Sequence, residues 1–311
     1  MILREFPDLQ WLKEQADQRF TDRKSWTGQT LKHEGWPSVI LNVTTGHTYR
    51  DNIRGPFSLF TNLSGESTVA VDHKHVRVRE GFFFLSNHDQ HYTLEINQPT
   101  PGQTFNIHFG EYFTDQVFQS LHLSPETLLE KNFHPPHERL EFHNRLHHRS
   151  ETITRIIKDI HSLEPAGSLA LDEKLYALIS ELLAQETALT KIKRELPVLK
   201  SSTRQEIFKR LLLSTDYIYA CFDRDLSLDE LATVSCLSKF HFLRLFKTGF
   251  GKTPHQFINE VRVQRSKELL VHSPLNVQEI ARTVGFTNAS SFSRMFFQQT
   301  GFYPTSFRNN Q

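Results

Sequence analysis

Leu228-Asp229-Glu230-Leu231-Ala232, then Ser238-Lys239-Phe240-His241-Phe242-Leu243-Arg244-Leu245-Phe246-Lys247, then Gly251 and Pro254, form a pattern that the same chain writes twice. The second version runs Val277-Gln278-Glu279-Ile280-Ala281, then Asn288-Ala289-Ser290-Ser291-Phe292-Ser293-Arg294-Met295-Phe296, then Gly301 and Pro304. Glu230 and Ala232 map onto Glu279 and Ala281 at an offset of 49 residues, whereas Phe242, Arg244, Phe246, Gly251 and Pro254 map at 50. One residue is therefore inserted in the second connecting turn, and the helices on either side keep their registers.

Each copy predicts a short helix with an inward Ala (Ala232, Ala281), a tight turn, and a longer helix started by Ser238 or Asn288, whose side chains can accept a backbone N–H. Phe242, Leu245 and Phe246 share one face of the first long helix, and Phe292, Met295 and Phe296 one face of the second, so these faces pack inward. The opposite faces carry Lys239, Phe240, Leu243, Arg244 and Lys247 in one copy and Ala289, Ser290, Ser293 and Arg294 in the other. This is helix-turn-helix patterning, in which the second helix enters the DNA major groove. An Arg there can bond guanine O6 and N7 or a phosphate. Between the copies, Pro254 to His272 predicts one helix, with Pro254 in its first turn and Ser273-Pro274 ending it. Its length, roughly 28 Å, is close to the ~34 Å turn of B-DNA, so two such helices could enter successive groove segments.

With these residues in place, 204–308 resembles the DNA-binding domain of the AraC/XylS family of bacterial transcription regulators. The resemblance is carried by Ala281 to Gly285-Phe286, Phe292-Ser293-Arg294-Met295-Phe296 and Gly301-Phe302-Tyr303-Pro304. It implies base-reading roles for Phe240, Leu243 and Arg244 and for Ala289, Ser290, Ser293 and Arg294. Leu243 and Ala289 depart from the polar residues frequent in the family and offer apolar contacts, such as to a thymine methyl. Phe297 stands where a Lys is common, which removes one phosphate contact.

The rest of the chain has a different texture. At 311 residues it exceeds what one core usually serves. From Ser201 onward there are 14 Lys/Arg and 9 Asp/Glu, while residues 1–200 carry 22 and 26, so the net +1 conceals a basic C-terminal part. Residues 36–113 hold short runs rich in Val, Ile, Thr and Phe (38–43, 57–61, 68–71, 75–78, 81–85, 92–96 and 104–109), spaced as in an antiparallel jelly-roll, with a tight hairpin at Asp72-His73-Lys74. Residues 114–194 read as helical. Leu140 to Leu163 and Leu169 to Leu189 carry apolar stripes either side of Glu164-Pro165-Ala166-Gly167, and these stripes suit packing on the β-domain or a dimer interface equally. His143, His147 and His148 fall at helical spacing as surface histidines, and Glu195 to Thr203 reads as a linker.

Jelly-roll followed by helices resembles the cupin-like sensor and dimerisation domain that many family members carry, and Gly81 to His88 with His91 loosely resembles the second cupin motif. His73-Lys74-His75 is present, but Glu80 abuts Gly81 at the wrong spacing for a metal set, so neither metal nor cofactor is expected. Cys221 and Cys236 form no zinc pattern; Cys236, in the first turn, is expected to be small and partly buried. No apolar run approaches a membrane span, and Met1 to Phe20 reads as an amphipathic helix rather than a signal peptide, which points to the cytoplasm.

The expected protein is α+β and multidomain. Residues 1–200 form a cupin-like effector-binding and dimerisation domain, and 204–308 an all-α domain of two helix-turn-helix motifs joined by a linker helix. Its expected partners are double-stranded DNA, a small-molecule effector whose contact residues the sequence does not single out, a second copy in a homodimer, and RNA polymerase if it activates; no membrane and no catalysis are expected. The competing class is a cupin metalloenzyme with an appended helical domain.

Overall fold

The computed structural model describes residues 1–22, 36–72, 74–122, 141–163, 168–198 and 200–309; His73 and the Glu164-Pro165-Ala166-Gly167 break lie outside them. The chain divides into two compact units, Met1–Glu186 and Thr187–Gln311. A β-rich first half and an all-helical second half are both present, as the sequence leads one to expect.

The first unit opens with β1 (Ile2–Leu3) and α1 (Leu9–Asp22), so the very start of the chain is extended and only the following stretch is helical. Then come β2 (Val39–Arg54), β3 (Ser58–Ser64), β4 (Glu66–Val71), β5 (Lys74–Arg79), β6 (Phe82–Ser86) and β7 (His91–His108). They are followed by α2 (Glu111–His122), β8 (Leu146–His148), α3 (Glu151–Ser162) and α4 (Ser168–Glu195). The sheet order is β1-β2-β7-β3-β6-β8, with β4 paired to both β5 and β7. β7 is its spine: Tyr92 to Glu95 pair with β4, and the stretch near His108 pairs with β3. The expected hairpin forms, with Val71 opposite Lys74 and Asp72 at φ +49°.

β7 runs through Pro99 and Pro101, residues that separate two expected strands. Thr45 faces Gly102 and His47 faces Asn97, so residues 98–101 bulge out opposite Gly46 and both prolines fall where no ladder N–H is needed.

One sheet face (Ile40, Leu59, Phe83, Leu85, Phe105, Ile107) meets Ile153, Ile156, Ile157 and Ile160 of α3 and Leu171, Leu175, Leu178, Ile179 and Leu182 of α4 in a single core. The apolar stripes therefore pack on the sheet. The opposite face mixes buried Phe60, Phe82 and Phe84 with buried Ser58, Ser86, Asn106 and His108. Ser58 sits opposite Ser86 on β6 and His108 on β7, and its Oγ lies 2.9 Å from His108 Nδ1. Burial pushes the His108 imidazole down to about 4 and the Tyr92 phenol up.

The helix expected from Leu140 onward begins only at Glu151. Residues 146–148 instead add an edge strand to β6, which stacks His147 on Phe83 (4.8 Å) and sets His148 edge-on to Phe82, so the histidines share no helical face. Ser150 then starts α3 by accepting from Ile153 N at 3.1 Å. His143, in the preceding loop, bonds Glu186.

The second unit is helical throughout its described residues. It contains α5 (Ser201–Cys221), α6 (Leu228–Val234), α7 (Lys239–Phe250), α8 (Pro254–His272), α9 (Val277–Thr283), α10 (Ala289–Thr300) and α11 (Pro304–Asn309). The unit boundary falls inside α4, earlier than the Pro197 and Ser201-Ser202 stretch. The end of α4 goes with the second unit because Ile192 and Leu196 press on Gly249 of α7, where a Cβ would come within 3.2 Å of Ile192.

Candidate nucleic-acid interface

The two copies are built from the same parts with small changes of chemistry. Ser227 starts α6 by accepting from Glu230 N at 3.1 Å, and Asn276 starts α9 by accepting from Gln278 N and Glu279 N, both at 3.0 Å. Glu279 returns to Asn276 N at 2.7 Å and closes a capping box. The matching Glu230 is diverted: Arg224 Nη2 and Tyr217 Oη donate to its Oε1 at 2.5 and 2.6 Å. Those bonds, Arg224's first, hold its carboxyl down at about 2.

Each turn is closed by matching backbone bonds, Leu237 N to Ala232 O (3.0 Å) and Cys236 N to Thr233 O (2.9 Å) in the first, Phe286 N to Ala281 O (2.8 Å) and Gly285 N to Arg282 O (3.0 Å) in the second. Cys236 (φ +49°) and Gly285 (φ +88°) take the same left-handed place, at an offset of 49. The next matched pair, Ser238 and Asn288, is offset by 50, which identifies Thr287 as the inserted residue. Cys236 is exposed, contrary to the partly buried position expected of it; its backbone is left-handed, and its carbonyl accepts from Arg210 Nη1 at 3.2 Å. Asn288 caps α10 by accepting from Ser291 N at 2.8 Å, whereas Ser238 makes no side-chain cap bond, so α7 starts on backbone geometry alone.

Both long helices end at a left-handed glycine, Gly251 (φ +69°) and Gly301 (φ +77°), whose N–H groups bond Lys247 O and Phe297 O. Inward, Phe242, Leu245 and Phe246 are buried, as are Phe292 and Phe296, while Met295 is only half-buried. Phe246 meets Phe257 edge-on at 5.6 Å, and Phe296 meets Phe307 at 5.4 Å. Phe257 and Phe307 thus extend the repeat at the 50-residue offset. The signal was in the sequence, but it lies past the Pro at which the obvious motif stops.

These inward anchors fix what faces out. Lys239, Phe240, Arg244 and Lys247 of α7 and Ser290 and Arg294 of α10 are exposed, and Leu243, Ala289 and Ser293 are half-buried beside them. Phe240 is 84% exposed, an apolar ring with no packing role in the fold. Lys239 Nζ sits 2.7 Å from Asp229 Oδ2. Among the described residues neither Arg244 nor Arg294 makes an ion pair, so both guanidiniums are available to an anion.

Comparison with known proteins falls on the same residues. A family model described as a helix-turn-helix domain matches residues 231–310. The probable transcriptional regulator LumQ of Photobacterium leiognathi is 32% identical over 98 residues, 32% of this chain and 40% of that protein. The bifunctional transcriptional activator/DNA repair enzyme AdaA of Bacillus subtilis is 36% identical over 96 residues, 31% of this chain and 46% of that protein. The chain thus spans under half the length of these two relatives. Among solved structures, the C-terminal domain of the response regulator AraT from Geobacillus stearothermophilus is 26% identical, covers 33% of this chain and 85% of that one, and has a TM-score of 0.32. The family match and the curated relatives, falling on the duplicated motif, make the C-terminal unit a helix-turn-helix domain of the AraC/XylS type.

Proposed function

We propose that this chain is a sequence-specific regulator of transcription that grips double-stranded DNA with α7 and α10. The observation that carries the proposal is the duplicated outward face, with Arg244 and Arg294 exposed at equivalent positions on two helices anchored by the same aromatic pairs. An exposed guanidinium on a groove-sized helix matches the O6/N7 edge of guanine. The neighbouring positions differ, Phe240 and Leu243 against Ser290 and Ser293, so the two helices read unlike half-sites. The first contributes more cationic charge, through Lys239 and Lys247.

The test is selection of duplexes from a random-sequence pool with the full chain, followed by titration of the selected site. Arg244→Ala and Arg294→Ala are expected to weaken binding by ~1–3 kcal/mol each if each makes a bidentate base contact. Affinity is also expected to fall steeply with salt, as phosphate neutralisation requires. Unchanged affinity in both variants would remove the assigned face.

We further infer that the first unit answers to a small-molecule effector and that the chain acts as a homodimer, recruiting RNA polymerase if it activates. Buried Ser86 Oγ and Asn106 Nδ2, which lack a hydrogen-bond partner among the described residues, support an effector that supplies those bonds. No helix among the described residues is long and apolar enough to cross a membrane. No group of three or more His, Cys, Asp or Glu among them is arranged to hold a metal ion.

A further inference from the structure

The two modules are not merely joined by α8; they touch directly, and one side chain organises the contact. Arg262, in the middle of α8, donates from Nε to Phe222 O and from Nη2 to Arg224 O, both at 2.8 Å, so it holds the loop that leads from α5 into α6. Its guanidinium carbon lies 5.5 Å from the centroid of Phe286, in the turn of the second module, and Phe286 packs at 5.3 Å on Phe292, the inward anchor of α10. On the other side, the Arg224 side chain reaches Glu230 on α6. Arg262 therefore stands between α6 of one module and α10 of the other.

The backbone is pressed together at the same point. A Cβ added at Gly285 would lie 2.7 Å from Phe222 O, 2.9 Å from Asp223 C and 3.0 Å from Arg262 Nη2. The equivalent residue of the first module, Cys236, carries a side chain and is exposed. Glycine at 285 is thus demanded by the contact between modules as well as by its left-handed φ. Burial disfavours the Arg262 charge, and Asp225 and Asp223 offset part of that cost.

A second arginine supplies an internal control. Arg308 of α11 donates from Nε to Leu270 O (2.9 Å) and from Nη2 to Leu275 O (2.6 Å), clamping the loop that leads from α8 into α9. The clamp is the same in chemistry, one arginine on two backbone carbonyls, but its acceptors, Leu270 in the last turn of α8 and Leu275 just after it, both lie on the path into the second module.

We propose that Arg262 is the positioning residue that fixes the placement of the two recognition helices relative to each other, so that one DNA duplex engages both at once. The proposal rests on the DNA-binding reading above. Two linked modules gain affinity because the second contact becomes intramolecular, and that gain, of order 10²–10⁴, is lost when geometry forbids simultaneous engagement. The partners that Arg262 holds, Phe222, Arg224 and Phe286, are not on the DNA-facing side of α7 or α10, so its removal should leave each module's own grip intact.

The experiment uses the full chain and the duplex that wild type selects from a random-sequence pool, together with two versions in which one or the other contacted segment is scrambled. Wild type is expected to bind the intact duplex far more tightly than either scrambled one. In Arg262→Ala that difference should shrink about tenfold or more, with affinity for each scrambled duplex held within about twofold of wild type. Arg262→Lys, which keeps the charge but not the two-pronged fork, and Gly285→Ala, which wedges the same contact open, should shrink it too. Arg308→Ala should not.

Equal loss on intact and scrambled duplexes, no loss on either, or the same shrinkage in Arg308→Ala would overturn the proposal. Loss of helical circular dichroism in all three variants at the contact would also overturn it, since Arg262 would then be serving stability alone. If wild type selects no duplex, the DNA-binding reading fails instead, so the two failures are distinguishable.

Discussion

Glycines 251 and 301 isolate a backbone effect from a packing effect. An added Cβ at either would meet nothing within 4 Å, yet both sit at positive φ, so only the left-handed strain of an L-residue is at stake. Gly251→Ala and Gly301→Ala are each expected to destabilise the second unit by ~1 kcal/mol, read as an earlier denaturant midpoint by circular dichroism at the same slope. Equal or greater stability in both would show that the helix ends relax out of the left-handed form. At this scale the sequence was directly legible, because a glycine shortly before a proline, at the end of an apolar-striped run and repeated in both copies, marks a left-handed helix stop. Glu230 was less so. Its match to Glu279 is a match of letter only, since Arg224 and Tyr217 take the carboxylate that in the second copy returns to the backbone.

For the elements, the aromatic pairs behind α7 and α10 are what hold the outward faces in register. Phe246 and Phe296 are fully buried, so Phe246→Ala and Phe296→Ala are each expected to cost about 3–5 kcal/mol. The measurement is urea unfolding of the second unit followed by helical circular dichroism. A cost below about 1 kcal/mol in either would mean that its cavity collapses and that the pair does not anchor the helix. These helices could be read from sequence because spacing of three and four, caps and stops all agree. The strands were partly hidden. Pro99 and Pro101 look like the end of a strand, and only pairing with β2 reveals a bulge that β7 passes through. The histidines at 143, 147 and 148 mimic helical periodicity, but a neighbouring strand edge claims 147 and 148, and local pattern carries no information about an unfilled edge.

Taken whole, the molecule has separate sources of stability in its two units, and acid should tell them apart. His108 is buried with its imidazole held down to about 4 from 6.5, so below pH 6.5 the unfolded chain takes a proton that the folded chain refuses. Stability of the first unit should therefore decline as pH falls from 6.5 to about 4, by roughly 3 kcal/mol from this group alone, and His147, lowered in the same sense by burial, adds to it. All three tryptophans, Trp11, Trp26 and Trp36, precede residue 40. Urea unfolding followed by tryptophan fluorescence at pH 7 and pH 4.5 thus reports that unit, and His108→Gln should flatten the difference. A variant as acid-sensitive as wild type would show that His108 is protonated in the fold.

The pinch between Gly285 and the Phe222 carbonyl also makes the two modules non-interchangeable, and in one direction only. A chimaera that carries the first turn in both places would set the Cys236 side chain where a Cβ has 2.7 Å of room, whereas the second turn moved forward brings a glycine to an open site. The leading module's turn therefore tolerates a side chain at this place, and the trailing module's does not.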